Sequence, residues 1–476
     1  MKSETIASIE ILTSCFMINF LYGASVRMVS LFYVESIHRF EINRKQASLP
    51  YVLPFVMKHL CGPLQGYLQQ LFQTKSLIIF GNVGSVISIG ACFFAEDILT
   101  VTILWGFIFG VSFGLGIQYL PLLLNAHFTT NQSKANGFAY SGACFGGVVM
   151  PPIMEACIEY YGLNGSFLIL SAILAHFIPF SMLLKSSEEK SHKNEHSQNI
   201  NKKVSCIEMK ESKKTHLPST SLDDNICQNL HKKSFLSSDT EAVKLDINKE
   251  IDTKSKRLVE RENSKNKPLS AFTLENFKIF IDPLFIIILV MTACTFYITT
   301  VMMAIILDFV RDKNVGANLE IYYVMILALA DICGRIGSGF VIDKQILPSP
   351  TITSICCVCT GLSSLGLLFI NNYLLLMFID FLLTVFTGSL LVLQIALVHE
   401  FMQPEKRNMA MVCKSMLFAP LCFTVSPMIG YFRGEHGSYD GVMYTLTGIS
   451  FFSGFIIYFI PHLAKRRKTT TSDNVT

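Results

Sequence analysis

Asp331 and Arg335 stand four residues apart inside a long apolar run. That spacing puts both side chains on one face of a helix, where they can pair. An ionised group in the middle of such a helix costs at least about 2.5 kcal/mol in hydrocarbon, so each one calls for a reason. The guanidinium is a rigid fork matched to a carboxylate. An incoming carboxylate could compete with Asp331 for that fork, and protonating Asp331 would release Arg335 to bind it. One helix would then link a proton to an anion. A static ion pair that stiffens a bundle is the alternative.

Other ionisable residues interrupt apolar segments. Arg27 lies toward the far end of the first, where it could draw in an anion or lie among headgroups. Lys58 and His59 sit midway along the second. Neighbours on a helix point about 100° apart, so at most one faces a cavity squarely. The His59 imidazole could carry a proton or serve as a packed, hydrogen-bonded histidine. Asp380 is an isolated acid suited to a cavity or an interface, and Asp308 reads as a boundary acid. Lys414 is expected to stretch toward the interface, and His176 to be packed. Cys356, Cys357 and Cys359 have no nearby His or acid, so they read as small packing residues rather than a metal site. No phosphate loop and no His-Glu-x-x-His helix occurs. The chain is therefore expected to be no enzyme, to use no cofactor or metal, and not to be driven by ATP.

These residues need elements to hold them. The chain has 476 residues, 51% hydrophobic and 16% charged. Of its 74 charged residues, 34 fall between Lys185 and Lys278. Elsewhere the charged fraction is roughly 10%, against about 25% in soluble domains. A soluble enzyme and a nucleic-acid binder are both excluded by this pattern. The net charge of +4 belongs wholly to the charged stretch, with 19 basic and 15 acidic residues. Twelve of the 14 cysteines lie in apolar segments, so no disulfide framework is expected.

A bilayer span takes about 20 mostly apolar residues. Twelve such segments are predicted: 9–34, 48–71, 76–95, 98–122, 135–158, 165–184, 284–307, 319–341, 352–371, 374–398, 409–432 and 442–462. The expected fold is an all-α membrane protein of two six-helix halves around a central cavity. Residues 1–185 form the first half, 186–281 a disordered linker, 282–463 the second half and 464–476 a tail. Eleven Lys and Arg on one set of short loops against six on the other place both termini in the cytoplasm. Asn164-Gly165-Ser166 is then a glycosylation sequon on an outer loop. Glycines crowd the fourth and fifth segments, allowing helices to approach closely, and Pro151-Pro152 is expected to interrupt the fifth.

The stretches "YLPLLLNAHF", "ANGFAYSGACFGG", "DICGRIGSGFVID" and "GSYDGVMY" resemble the monocarboxylate transporter family of the major facilitator superfamily. The likeness runs over roughly 9–184 and 282–463. Gly339 to Lys344 also match the superfamily's loop pattern of Gly, an apolar residue, Asp and a basic residue. The first-half copy at Gly66 has Gln69 and Gln70 instead of the charged residues.

The resemblance implies a major facilitator fold and secondary transport of small organic anions across the plasma membrane. Asp331 matches a proton-linked Asp and Arg335 a carboxylate-binding Arg. Arg27 falls near a proton-linked Lys, His59 near an aromatic hydroxyl of the substrate site, and Phe386 at a selectivity position. Other branches carry aromatic amino acids, thyroid hormones or creatine, with or without protons. Some members use a single-pass immunoglobulin-type chaperone. Ser8-Ile9-Glu10-Ile11 stands where the family opens with Asp-Gly-Gly-Trp-Gly-Trp. An Arg does not titrate usefully, so Arg27 cannot copy a titrating Lys. A membrane sensor or scaffold acting through the linker is the alternative of another class.

Overall fold

The computed structural model describes residues 2–42, 44–128, 130–184, 278–313, 317–435 and 437–465. Among them every regular element is helical. This is what hydrocarbon demands, because a helix satisfies its backbone polar groups internally. The expected linker from 186 to 277 and the tail beyond 465 lie outside the described residues. Residues 278–281 form a 3-10 turn leading into the second half.

The first half begins with α1 (Lys2–Arg27) and α2 (Val29–Phe40), which part at Met28. It continues with α3 (Arg44–Leu60), α4 (Gly62–Leu71), α5 (Thr74–Ala91) and α6 (Ile98–Val101). A π-helical stretch, Thr102–Phe109, precedes α7 (Gly110–Ile117) and α8 (Leu120–His127). Then come α9 (Gln132–Leu174) and α10 (Phe177–Leu183). The second half holds α11 (Pro283–Asp312), α12 (Ala317–Asp343), α13 (Ser349–Phe369) and α14 (Tyr373–Phe401). It closes with α15 (Pro404–Cys413), α16 (Phe418–Gly430) and α17 (Asp440–Tyr458).

Ten stretches among the described residues are long and apolar enough to cross a membrane. Two differences account for the twelve predicted. The stretch Gln132–Leu183 spans 52 residues and contains two predicted segments. The predicted segment 48–71 is divided between α3 and α4, and it carries Lys58 and His59. The break expected at Pro151-Pro152 does not occur there, because both prolines sit inside α9. The helical path departs instead at Gly162, at φ +68° and ψ −176°. Proline's fixed φ is compatible with helix, whereas a positive φ favours glycine.

The described residues before 185 and from 278 to 465 pack as one unit. Within it, α1 lies against α9 so closely that a Cβ on Gly142 or Gly146 would collide with the carbonyls of Phe16 or Phe20. Small residues are what allow helix backbones to approach in lipid. The halves meet where α9 crosses α12 and where α3 meets α16. At one end of that crossing, the Asp343 carboxylate accepts from the backbone N–H of Ser133 (3.1 Å) and of Lys134 (2.9 Å). An acid there also faces the positive end of the α9 dipole.

Candidate functional site

α12 holds Asp331 and Arg335 as its spacing requires. Arg335 donates from Nε to Asp331 Oδ1 and from Nη2 to Asp331 Oδ2, each at 2.7 Å. Both residues are buried. The remaining bonds come from α9: Arg335 Nη1 donates to the Tyr140 carbonyl at 2.8 Å, and Cys144 Sγ donates to Asp331 Oδ2 at 3.1 Å. All three guanidinium nitrogens are thus engaged, and a helix from the opposite half holds the fork in place. Gly388 on α14 leaves the room, since a Cβ there would lie 2.6 Å from Asp331 Oδ1.

This pair lines a cavity of about 200 Å³ between the halves. Arg27 lines it too, half-buried at the end of α1 with its stem against Gly147. It faces inward, not toward headgroups. His59 also lines the cavity, and its Nδ1 lies 2.7 Å from Ser415 Oγ across the halves. Phe386 packs half-buried on the main core, outside the set of side chains lining the cavity. Of the five residues singled out, four therefore meet around one space.

Two more cations line the same space, against expectation. Lys58 and His59 both face it, although they are adjacent. The flexible lysine stem makes up the angular difference. Its Nζ sits 4.5 Å from the Phe113 ring centroid, a cation–π contact. Lys414 does not stretch to the interface: it is buried, and its Nζ donates to the Met411 carbonyl at 2.9 Å. The sequence marks Lys414 as the lone charge in an apolar stretch from 408 to 432, but not the side to which it turns.

The remaining acids have other settings. Asp380 is buried and accepts from the Tyr323 hydroxyl at 2.7 Å. Asp308 is no lone boundary acid: Tyr439 donates to it at 2.5 Å, and Arg433 lies 3.7 Å from it and 2.6 Å from Asp312. His176, expected to be packed, is exposed, with Nδ1 at 2.9 Å from the Ile173 carbonyl. Among the described residues no His, Cys and acid cluster could hold a metal. A larger cavity of about 800 Å³ lies beside Asp343. It is lined by neutral amides and hydroxyls, apolar side chains, His399 and the acids Asp343 and Glu400, with no Lys or Arg among them.

A positively lined cavity between two helical halves can bind a small anion, with one carboxylate inside it to take up a proton. Comparison with known proteins agrees with this architecture. Rat monocarboxylate transporter 4 is 25% identical over 175 residues, covering 37% of each chain. Rat monocarboxylate transporter 12 is 23% identical over 190 residues, 38% of this chain and 39% of that one. The aligned stretch is thus under two fifths of either relative's length. The proton:xylose symporter XylE, bound to 6-bromo-6-deoxy-D-glucose, superposes with a TM-score of 0.66 at 12% identity over 96% of both chains. The model of the Major Facilitator Superfamily matches residues 15–373 and 348–475, and the chain belongs to that superfamily.

Proposed function

We propose that this chain is a secondary transporter of small organic anions, above all carboxylates, with Arg335 holding the carboxylate and Asp331 carrying a linked proton. The observation behind the reading is the cavity's charge. Arg27, Lys58, Arg335 and Lys414 face it with one carboxylate, Asp331, among the lining residues. Low dielectric walls make such a field strong. An arriving carboxylate competes for the fork that Asp331 occupies. A proton on Asp331 removes the competitor and leaves its hydroxyl as a donor. Anion and proton then bind together, and the site's net charge stays constant. The relatives' names, monocarboxylate transporters, support the same substrate class.

The cavity's size narrows the choice. At about 200 Å³ it lies below the range of about 300–1,000 Å³ typical of drug-sized ligands. Small carboxylates fit this space; thyroid-hormone-like molecules would require it to widen. The reading includes a plasma-membrane location with both termini cytoplasmic. An immunoglobulin-type chaperone is tested by whether the chain reaches the cell surface when expressed alone.

The test is uptake into proteoliposomes of labelled lactate, pyruvate, creatine and aromatic amino acids, with and without an inward proton gradient. Saturable uptake of a small carboxylate, accelerated by the gradient, is expected. Uptake that ignores the gradient removes the proton role, and carboxylates that are not taken up at all remove the substrate class.

A further inference from the structure

We infer that the cavity is built for a dianion, a small dicarboxylate, with one acid group on the Arg335 and Arg27 side and the other between Lys58 and Lys414. The inference rests on the anion-transport reading above and names its substrate class. Its starting point is charge balance. Asp331 already neutralises Arg335 through two 2.7 Å bonds. No carboxylate among the described residues pairs with Arg27, Lys58 or Lys414, all three of which line the cavity. Lys414 is buried and Arg27 and Lys58 are half-buried, and cations withdrawn from water without a counter-charge are costly, so an occupant that supplies the missing charge is favoured. A single carboxylate would leave two of the three uncompensated.

The cations also reach the cavity from several helices. Arg335 and Arg27 share the α9 wall: Arg335 bonds the Tyr140 carbonyl, and Arg27 lies along Gly147. Lys58 and Lys414 come from opposite halves, and each is the chain neighbour of one partner in the His59–Ser415 contact. Each ammonium has three donors. Lys414 spends one on the Met411 carbonyl, and Lys58 rests on the face of Phe113. Donors remain on both for an arriving acid group. A space of 200 Å³ is about seven water volumes at roughly 30 Å³ each, the scale of a short dicarboxylate rather than a long one.

The pair of probes is succinate and butyrate, which share a four-carbon chain and differ by one carboxylate. Each is titrated calorimetrically into the full chain in detergent at neutral pH. Succinate is expected to bind at least ~10-fold more tightly, the effect of one further charge-assisted contact. Lys58→Met and Lys414→Met should each shrink that ratio to below about threefold, read within one protein so that a general loss of folded material cancels. Butyrate binding as tightly as succinate, or variants that weaken both equally, overturns the dianion site and leaves the anion-transport reading standing. Binding of neither probe overturns both.

Discussion

At the scale of single residues, the two roles proposed for the Asp331–Arg335 pair can be separated by substitutions. Arg335→Lys keeps the positive charge but loses the fork that now makes two bonds to Asp331 and a third to the Tyr140 carbonyl. An ammonium cannot reproduce that planar pattern. The expected outcome is a loss of carboxylate affinity of about tenfold or more, measured as half-saturation in proteoliposomes. Asp331→Asn keeps the size and removes the titrating group. Uptake by that variant should no longer respond to an inward proton gradient, while exchange of internal for external anion persists. A variant still accelerated by the gradient would move the proton site elsewhere. The buried Asp380, which meets the Tyr323 hydroxyl, would be next to examine.

At the scale of elements, helix contact depends on the absence of side chains at a few crossings. Gly388 is the most telling, because a Cβ there would crowd both the Asp331 carboxylate and the α12 backbone. Gly388→Ala should cost about 1–3 kcal/mol through overpacking, read as a lower unfolding temperature in detergent. It should also weaken carboxylate binding, since relief of the clash displaces Asp331. The elements themselves were largely legible. Apolar length alone located the spans, and the four-residue spacing placed Asp331 and Arg335 on one face. Three things were not legible, for identifiable reasons. Lys58 and Lys414 reach the cavity because of how α3 and the α15–α16 junction are rotated, which only neighbouring helices decide. The prolines of α9 suggested a break, yet their φ suits a helix and the real departure needed the glycine at 162. The position of Phe386 along α14 says nothing of which side that helix turns inward.

At the scale of the whole molecule, the halves meet at one end through two unlike seams. In one, Asp343 caps α9 from across the divide. In the other, α4 packs on α15, and a Cβ on Gly62 would lie 2.9 Å from the Val412 carbonyl. Gln69 and Gln70 stand there where the second half carries Asp343 and Lys344. If the halves rock to expose the cavity alternately, Asp343→Asn should loosen the first seam. Cys144, buried in the cavity wall, is a natural reporter. Its modification by a thiol reagent, located by mass spectrometry, should be faster in Asp343→Asn than in the unaltered chain. An unchanged rate would show that the cap does not hold the halves together. The unlikeness of the seams has a further consequence, because one is an electrostatic latch and the other a steric one. Dissolved ions weaken the first and leave the second nearly untouched. If the halves rock as proposed, the resting balance between their two openings should therefore drift with ionic strength, even where no substrate is present.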